Sequence, residues 1–526
     1  MLILGIGSLG RDSAAALFDD SSLLAAIEEN KLSRSPGADA IPRNAIARCL
    51  ELAGAQATDV SFVALANPRM DMGRELARLL KPRKSRYFDH HLCHAASSFY
   101  ASEFDRSLVL TLDEGGDAGS GLIALGEGEN LRPLTHLKFS NSVGWFYSRV
   151  TELLGLRPHR DEHKVQWLSK DGPPDYVPAF RKLFSRDSRG LPVLDRQYLA
   201  RSADHRGTFS SRIYRELGLK PGASPSAPAL RAAIARSAQA VLEENVLEIV
   251  EHYRKQTGAE SLCLAGGVFL NVLLVRALET RSGFRGVFVQ PVSGNAGTCL
   301  GAAFLGRKHL TGSAGRKPLS HLFLGPEFTS AQIKPVLDNC KIIYKYVSGE
   351  EPLFAETAQL LQRDRIVAWC QGRTEFGHRA LGNRSILASP FSEYIVENVN
   401  QYIKHREDFH PFALSVPSES AAELFDCTPN CRFMASLGTL KKDVPALARF
   451  AFQERQVRVH TVERESNPRF WRLLHKFGEQ APAPVLVNTS FNLFGEPLVS
   501  DPREAIRSCY CSGIDALALG PFLVVK

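Results

Sequence analysis

Apolar runs that end in glycine-rich turns recur along the chain and constrain its fold more than any other feature. The runs, each with the glycines that follow it, are 107–112 with Gly115 and Gly116, 262–264 with Gly266 and Gly267, and 287–289 with Gly294 and Gly297. Short apolar runs bounded by glycine are typical of buried strands, and longer helical patterns stand between them. The sequence therefore predicts an α/β fold.

Glycines at a strand end let a ligand phosphate approach the backbone, where the next helix offers N–H groups and a favourable dipole. Because the junction occurs three times, we expect a nucleotide cleft; a tight turn is the alternative at each position taken alone. The candidate cofactor-binding residues are Asp113, Glu114, Gly115, Gly116, Asp117, Gly266, Gly267, Asn271, Asn295 and Ala296.

The N-terminal residues predict a β-meander over 2–6, 13–18 and 23–27, with a turn at Asp19 and Asp20. A helix is expected over 45–52 and a strand over 60–65. Residues 171–227 are rich in Pro, Gly, Ser and charge, which indicates an irregular insertion or cap. After Pro228 the apolar residues recur at helical spacing, so a long helix is expected there.

The chain of 526 residues exceeds one ordinary hydrophobic core. Glycine and proline recur over 311–350, so we place a boundary there and predict domains over 1–345 and 346–526. With 44% hydrophobic and 23% charged residues the chain reads as globular, and no apolar run approaches the roughly 18 residues of a membrane span. The start has no basic leader, so we expect a cytoplasmic protein that does not bind membranes.

The segment around His90 and His94 has the spacing of a divalent-metal site. Residues four apart share one helix face, and Asp113 ends the strand that follows. Two imidazoles and one carboxylate suit Fe(II), Mn or Zn and leave coordination positions open. His91 lies off the shared face. The alternative is that these are ordinary core or surface histidines.

The C-terminal third indicates anion binding. Its cationic side chains stand among glycines and small polar residues rather than on simple amphipathic helices: Arg373, Arg379, Arg384, Lys404, Arg406 and Arg458. Arginine can bind phosphate through two parallel hydrogen bonds, and hydroxyl and amide groups complete such a cradle. Solvated surface charge is the alternative for each residue considered separately.

Five segments together resemble the O-carbamoyltransferase family that modifies antibiotics and nodulation factors. They are His-x-x-x-His-Ala at 90–95, Gly-Gly-Val-x-x-Asn at 266–271, Ala-Gly-Thr-x-x-Gly-Ala-Ala at 296–303, Arg-Ala-Leu-Gly-Asn-Arg-Ser-Ile at 379–386 and Asn-Thr-Ser-Phe-Asn at 488–492. The resemblance spans nearly the whole chain. It implies an actin-like ATPase-type N-terminal domain, related to tRNA threonylcarbamoyl transferases, and a threonylcarbamoyl-adenylate-synthase-like α/β C-terminal domain.

The resemblance also implies a two-step reaction. The C-terminal domain would make carbamoyl-adenylate from carbamoyl phosphate and ATP with Mg, and the N-terminal domain would transfer the carbamoyl group to a hydroxyl of a small molecule. Its implied catalytic residues are His90, His94, Asp113 and Asp12, and its implied metal ligands are His90, His94, Asp113 and Asn295, with Fe(II) the expected metal. The expected substrate-binding residues are Arg11, Arg379, Arg384, Lys404, His410, Arg458, Asn488 and Ser490.

The chain departs from the family pattern at several of these positions. Asn295 replaces the fourth metal ligand, an Asp, and Arg11-Asp12 replaces a His-Asp pair beside the acceptor. We therefore expect an acceptor other than an aminoglycoside, with Arg11 facing an acidic group on it. His410 replaces an Arg before Pro-Phe-Ala, His378 replaces a Pro, and 452–460 keeps only Arg458 of its motif.

Two other functions stay open from the sequence. A tRNA threonylcarbamoyl transferase would share the fold, but the net charge of +8 is not gathered into a basic stripe, so we do not expect nucleic acid as a partner. A nucleotide-binding partner protein with degraded motifs would explain Asn295 and the altered 452–460 segment. The sequence does not decide whether the protein forms an oligomer.

Overall fold

The computed structural model describes residues 1–7, 12–20, 22–35, 41–66, 76, 78–80, 84–117, 119–201, 207–441, 444–493 and 495–526. The chain divides into two compact units. We call Met1–Arg86 with Leu319–Lys526 the split unit, and Tyr87–Pro318 the central unit. Among the described residues, no helix combines the length and apolar character that a membrane span requires.

The first sheet of the split unit has the strand order β3-β2-β1-β4-β5. Its strands are β1 (Leu2–Gly7), β2 (Ala14–Phe18), β3 (Leu23–Glu28), β4 (Val60–Ala66) and β5 (Ser85–Phe88). The strands β1 to β3 pair antiparallel in sequence order, which confirms the predicted meander, and β4 runs parallel to β1. Two helices follow β3, namely α1 (Glu29–Ser33) and α2 (Arg43–Leu52).

The sheet of the central unit repeats this order. Its strands are β6 (Arg106–Leu112), β7 (Gly121–Glu127), β8 (Asn130–Leu137), β13 (Ser261–Ala265) and β14 (Gly286–Val289), ordered β14-β13-β6-β7-β8. Three antiparallel strands are again followed by strands parallel to the first. Two sheets with this order are the pattern of the actin-like ATPase-type fold, so the α/β fold class is confirmed.

The helices of the central unit include the predicted long helix. They are α3 (His90–Phe99), α4 (Val143–Leu153), α5 (Glu162–Leu168), α6 (Val177–Arg181), α7 (Ser211–Glu216), α8 (Pro228–Thr257), α9 (Val272–Arg281) and α10 (Thr298–Thr311). The predicted irregular segment 171–227 holds α6, α7 and two short strand pairs, β9 (Phe184–Arg186) with β10 (Pro192–Leu194) and β11 (Leu199–Ala200) with β12 (Thr208–Phe209).

The C-terminal part of the split unit is built on a ten-stranded sheet. The strands are β15 (Lys345–Tyr346), β16 (Val367–Cys370), β17 (Arg384–Ala388), β18 (Ala413–Pro417), β19 (Phe425–Asp426), β20 (Gly438–Leu440), β21 (Gln456–Val462), β22 (Leu486–Ser490), β23 (Ala516–Leu519) and β24 (Phe522–Val525). Their order is β15-β24-β23-β16-β17-β22-β18-β21-β20-β19.

Apolar clusters cover both faces of the ten-stranded sheet. The helices here are α11 (Ser330–Asn339), α12 (Glu350–Gln362), α13 (Ile395–Glu397), α14 (Ser418–Leu424), α15 (Pro445–Ala448), α16 (Pro468–Gly478) and α17 (Pro502–Tyr510). A short π-helix, Asn398–Ile403, follows α13. The likeness of this part to adenylate synthases stays a prediction.

The compact units do not follow the predicted boundary at 345, because the first 86 residues cluster with the C-terminal part. The edge strand β3 provides the physical reason. Its Ala26 N–H donates to the Leu324 carbonyl at 3.2 Å, and the Arg373 guanidinium donates to the Leu24 carbonyl at 3.0 Å. A sheet edge offers such unpaired groups to a neighbouring segment. The assignment of one function to 1–345 and another to 346–526 stays a prediction.

Candidate active site

Helix α3 presents His90 and His94 on one face at the start of the central unit. Its N-terminus is capped twice: the Asp89 carboxylate accepts from the Leu92 N–H at 2.8 Å, and the Asp117 carboxylate accepts from the His90 N–H at 3.0 Å. Side-chain oxygens in these positions satisfy donors that the first turn leaves unpaired. The helix therefore fixes the two imidazoles with ring centroids 4.7 Å apart.

Asp113 meets the histidines from the end of β6. Its Oδ2 lies 3.8 Å from His90 Nε2 and 3.6 Å from His94 Nε2, which is longer than a hydrogen bond. The carboxylate accepts instead from two backbone N–H groups, those of Glu114 at 2.9 Å and Gly267 at 3.4 Å. The donor atoms of the three residues lie within 4.8 Å of one another.

The unsatisfied ring nitrogens test whether these residues fit a metal ion. Both imidazoles are buried, yet none of their four nitrogens has a hydrogen-bond partner among the described residues. Buried polar atoms are almost always paired, so an orphaned set facing a carboxylate indicates a missing partner such as an ion. Two imidazoles and a carboxylate are the donor set of Fe(II), Mn(II) and Zn(II), so the residues fit a divalent cation.

Burial lowers the pKa of His94 to about 4, and the neighbouring imidazole of His90 acts in the same direction. His94 is therefore neutral at physiological pH, with its lone pairs available to a cation. Burial also opposes the charging of His90, but the Asp113 carboxylate outweighs it and raises the pKa of His90. The two imidazoles hold the pKa of Asp113 well below its ordinary range despite its desolvation.

His91 serves the fold rather than this cluster. Its Nε2 lies 3.2 Å from the Gly119 carbonyl, and its Nδ1 lies 3.4 Å from the Thr111 hydroxyl. Both ring nitrogens thus have partners, one on β6 and one in the turn before β7, in contrast to those of His90 and His94. This agrees with the position of His91 off the shared face.

Glycines surround the cluster because its side chains approach the backbone closely. A Cβ on Gly116 would lie 2.7 Å from His90 Cδ2 and 2.9 Å from His91 Nε2, and one on Gly267 would lie 3.1 Å from Asp113 Oδ1. Gly266 has φ 100° and would drive a Cβ into the Leu112 carbonyl. These contacts fit the tight-turn alternative at both junctions, and phosphate binding by these glycines stays a prediction.

We expect Gly116→Ala to lower the free energy of unfolding by about 1–3 kcal/mol and to weaken divalent-metal binding, because its methyl group overlaps two imidazoles. Urea unfolding and metal titration measure the two effects. Gly115→Ala is the matched control, since the atoms nearest its methyl group belong to the ring of Phe139, which is 55% exposed and has room to move. Equal effects of the two variants would contradict the expectation.

Glu114, beside Asp113, enters a polar network of its own. Its Oε2 lies 2.7 Å from His159 Nδ1 and accepts from the Ser148 hydroxyl at 3.2 Å, while its Oε1 lies 3.7 Å from the Arg149 guanidinium. Arg149 stands on α4 and is buried. The carboxylate therefore has protein partners, and its role in cofactor binding stays a prediction.

The other predicted cofactor residues lie around the same strand ends. Asn271 caps α9 by accepting from the Leu274 N–H at 3.0 Å, and its amide donates to Gln239 at 2.7 Å. Asn295 is half-buried in the turn before α10, its carbonyl accepting from the Thr298 hydroxyl at 2.6 Å, and Ala296 is buried beside it. Gly115 packs under Phe139. Metal coordination by Asn295 stays a prediction.

A second polar cluster lies on one face of the ten-stranded sheet. In the register of β21, β18 and β22, Arg458 and Asn488 both stand opposite Ala413, so their side chains share a face. His460 and Ser490, two residues further along their strands, share that face too. The structure thus brings together three residues predicted to bind carbamoyl phosphate: Arg458, Asn488 and Ser490.

Hydrogen bonds order this polar face. The Asn488 amide donates to the Ser415 hydroxyl at 3.0 Å and to the Ala380 carbonyl at 3.2 Å, and the Ser415 hydroxyl lies 3.0 Å from His460 Nδ1. Asn488 Oδ1 is buried without a hydrogen-bond partner among the described residues. The contact with Ala380 places the 375–384 loop, which carries half-buried Arg379, beside Asn488.

Lys404 is buried at the end of β22, and Arg406 is half-buried two residues further along the chain. The Lys404 ammonium donates to the Ser490 hydroxyl at 3.1 Å, to the Asn492 side-chain oxygen at 2.5 Å and to the Ser490 carbonyl. The Arg406 Nε donates to Asn400 Oδ1 at 2.7 Å, while its NH2 has no hydrogen-bond partner among the described residues. Burial lowers the pKa of Arg406 and of Arg458 to about 10, so both stay charged at neutral pH.

Burial lowers the pKa of Lys404 well below its ordinary value of 10.5, and the charge of Arg406 acts in the same direction. The unfolded chain therefore binds this proton more tightly than the folded chain, so folded stability rises with pH between the lowered pKa and 10.5. We expect Lys404→Met to abolish this contribution. Between about pH 7 and about pH 10, urea unfolding should show the free energy of unfolding of wild type rising with pH relative to that of Lys404→Met. A constant difference would contradict it.

The remaining predicted residues differ in their surroundings. Arg384 is buried, and its guanidinium donates to the carbonyls of Gln371, Asn383 and Pro326 at 2.7, 3.0 and 3.2 Å, so its donors serve the fold. His410 is buried with Nδ1 3.0 Å from the Glu407 carbonyl. Asp12 is exposed at φ 65° before β2, and Arg11 lies outside the described residues.

Three residues of the polar face were missed from the sequence. Asn492 repeats the polar character of Asn488 and Ser490 at a spacing of two, which could have identified it. Ser415 interrupts the apolar run of β18, where a hydroxyl has a structural explanation only once its neighbours are known. No feature of the local sequence identifies His460, because its neighbours are set by the pairing of β18 with β21.

Comparisons with known proteins cover both units. Residues 72–304 match the model of the carbamoyltransferase N-terminus, and residues 358–526 match that of the carbamoyltransferase C-terminus. Nodulation protein NolNO of Sinorhizobium fredii is 31% identical, over 98% of this chain and 79% of that protein. Nodulation protein NolO of Bradyrhizobium diazoefficiens is 34% identical, over 83% and 79%. The 3'-hydroxymethylcephem-O-carbamoyltransferase of Amycolatopsis lactamdurans is 31% identical, over 54% and 52%.

Proposed function

The chain belongs to the carbamoyltransferase family, and on that premise we propose that this enzyme uses ATP and carbamoyl phosphate to carbamoylate a hydroxyl of a small molecule. The activated donor in this proposal is carbamoyl-adenylate. The observation that carries the proposal is the convergence of the His90 and His94 imidazoles on Asp113, with all four ring nitrogens lacking hydrogen-bond partners among the described residues.

The proposed reaction balances in three steps. Water releases phosphate from carbamoyl phosphate and leaves carbamate; the carbamate oxygen then attacks the α-phosphorus of ATP and expels pyrophosphate. The acceptor hydroxyl finally attacks the carbamoyl carbon of the adenylate, so that the new C–O bond forms, AMP leaves and the hydroxyl proton is lost. A mixed anhydride of this kind reacts with water, which is why such intermediates are made in enclosed sites.

The polar face of the ten-stranded sheet supports the first two steps. Arg458 and Arg406 keep their charge at neutral pH, and Lys404 stands next to Ser490, so phosphate oxygens would meet cationic donors at this end of β22. Asn488 and Ser490 offer amide and hydroxyl groups on the same face. Charge-assisted hydrogen bonds of this type bind phosphates strongly. Arg379 on the adjacent loop completes the proposed donor site.

The central unit supports the transfer step. A divalent cation held by His90, His94 and Asp113 would supply Lewis acidity toward a carbonyl or phosphoryl oxygen. The burial of both imidazoles excludes water from the cluster, and the two backbone donors on Asp113 fix the orientation of its carboxylate. ATP with Mg and a resident Fe(II), Mn or Zn are the proposed cofactors, and Asn295 is the proposed further ligand.

The acceptor is proposed as a small-molecule hydroxyl because of the relatives. One of them is named for 3'-hydroxymethylcephem O-carbamoylation and two for nodulation. We propose a natural product, other than an aminoglycoside, as the acceptor, since Arg11-Asp12 departs from the family pattern. Exposed Asp12 would lie near the acceptor hydroxyl in this proposal.

Exchange of labelled pyrophosphate into ATP tests the proposal without knowledge of the acceptor. Folded enzyme supplied with ATP, Mg and carbamoyl phosphate should incorporate label into ATP, and omission of carbamoyl phosphate should stop the incorporation. Lys345→Met, which removes a surface ion pair with Glu356, is a control that should exchange like wild type. Metal-replete enzyme that shows no exchange dependent on carbamoyl phosphate would contradict the adenylate step.

A further inference from the structure

Residues 28–34, which comprise the last residue of β3, α1 and the residue after it, contact two segments of the C-terminal part of the split unit. They contact the 375–384 loop, which carries Arg379, and the 496–504 segment, which follows Ser490 and Asn492 in the chain. Both loops flank the polar face described above. The contacts belong to one compact unit although more than 340 residues separate their partners in the sequence.

The first contact is a buried ion pair that holds the 375–384 loop. Lys31 Nζ lies 2.9 Å from Glu28 Oε2, 2.7 Å from the Glu375 carbonyl and 2.6 Å from the Gly377 carbonyl. Glu28 Oε1 accepts from the Gly377 N–H at 2.8 Å. The side chains of Glu28 and Lys31 are only 8% and 3% exposed, so solvent does not compete for these bonds.

The loop itself is wound around the Glu375 carboxylate. Glu375 Oε1 accepts from the N–H groups of Leu381, Asn383 and Arg384 at 2.8, 2.9 and 3.1 Å. A carboxylate that gathers three backbone donors fixes the path of the chain between them. Lys31 and Glu28 bind Glu375 and Gly377, which precede Arg379 and Ala380 in the same loop.

The second contact holds the segment after β22. Arg34 ends α1 in a left-handed conformation with φ 57°, and its guanidinium donates to the Leu498 carbonyl at 2.7 Å and to Glu496 at 3.1 Å. Its Nε also lies 3.3 Å from Glu504 Oε1. The Glu496 carbonyl in turn accepts from the Asn492 amide at 2.6 Å, and Asn492 contacts Lys404.

We propose that Glu28, Lys31 and Arg34 are positioning residues for the donor site, which hold the two loops that place Arg379 and Asn492 beside Lys404 and Asn488. The proposal rests on the proposed function for the identity of the ligand, carbamoyl phosphate. None of the three residues touches the reacting atoms in this proposal. They act by fixing the loops before substrate binds, which lowers the entropic cost of binding.

The double variant Glu28→Gln/Lys31→Met tests the first contact. It removes both charges together, so no unpaired charge is left buried and the chain is expected to fold. The KM for carbamoyl phosphate in pyrophosphate exchange should rise about tenfold, with kcat lowered less than about threefold, because a displaced loop weakens ground-state binding. Amide hydrogen exchange over 377–384 should quicken at least about tenfold, while urea stability changes little.

Lys345→Met/Glu356→Gln is the matched control, because it removes an ion pair of the same unit that touches neither loop. Arg34→Met tests the second contact separately and should quicken amide exchange over 495–500 but not over 377–384. Wild-type amide hydrogen-exchange rates in both loops, measured on the folded variants, would overturn the proposal. Amide exchange needs no catalysis, so a wild-type enzyme without pyrophosphate exchange would count against the proposed function, and the loop measurements would still decide the positioning role.

Discussion

Replacement of His94 by alanine is expected to reduce carbamoyl transfer on the order of a thousandfold or more, while pyrophosphate exchange stays within about twofold of wild type. His94 is fully buried, and its Nε2 lies 3.6 Å from Asp113 without a hydrogen-bond partner among the described residues. Loss of one of three donors would release the cation. A stabilisation of several kcal/mol at the carbonyl would be lost with it. The exchange reaction belongs, in our proposal, to the polar face of the other unit.

The measurement is AMP formation that depends on an added hydroxyl compound, from a screen that includes 3'-hydroxymethylcephem. His163→Ala is the control, since His163 is an exposed histidine of α5 in the same unit. A His94→Ala enzyme that transfers at the wild-type rate would contradict the role of the cluster. Parallel loss of exchange would show that the two half-reactions do not separate as proposed.

The second large effect is expected at Lys404. Its ammonium bonds Ser490 and Asn492, which stand at the end of the strand that carries Asn488. Removal of a charge-assisted hydrogen bond to phosphate costs about 1.5–3 kcal/mol, so Lys404→Met should lower pyrophosphate exchange between about tenfold and about a hundredfold. In the absence of carbamoyl phosphate, burial disfavours the charged form of Lys404 and lowers its pKa. Methionine avoids this burial penalty but gives up the bonds to Ser490 and Asn492, so we expect a change in stability near neutral pH that is small beside the change in exchange.

A large loss of activity with a small change in stability at this residue would distinguish a binding role from a structural one. Initial rates of exchange and urea midpoints, both near neutral pH, give the two quantities. Lys334→Met serves as a control, because Lys334 is exposed and pairs with Asp338 four residues along α11. Loss of stability in Lys404→Met, together with unchanged exchange, would assign the lysine to the fold instead.

The sequence was most informative where local geometry alone decides contact. His90 and His94 are four residues apart, so they share one face in any helix. The apolar run before Asp113 indicates that Asp113 lies at the end of a strand. The structure brings the three together. The meander and the long helix after Pro228 were predictable for the same reason, since each depends on periodicity within one segment.

Residues whose partners are distant could not be assigned from the sequence. Asp117 caps α3 across 27 residues, and Asn271 bonds Gln239 across 32. The sequence does not show these structural partners, and ligand binding by the two residues stays a prediction. Arg384 lies in a dense cationic segment, but its donors are taken by carbonyls that only the folded loop presents. Polar residues beside glycines serve turns and ligands alike, and the pattern does not separate the two.

Local sequence patterns also could not predict which compact unit contains the first 86 residues. Lys31 and Glu28 look like surface charges at the start of a short helix, yet they are buried against Glu375 and Gly377. The predicted boundary at 345 was based on the composition of residues 311–350. Such a composition marks a linker, but it does not show which distant segment packs against the residues beyond it. The first 86 residues therefore belong to the split unit through contacts with segments more than 300 residues further along the chain.

Metal content measured on purified protein tests the central claim most directly. Wild-type protein reconstituted with Fe(II) or Mn(II) and freed of loose metal should retain about one divalent ion per chain by mass spectrometric metal analysis. His94→Ala and Asp113→Asn should retain almost none while remaining folded by circular dichroism, and His163→Ala should match wild type. Wild-type protein without bound metal, or equal retention in the His94→Ala variant, would contradict the claim that His90, His94 and Asp113 hold a shared cation.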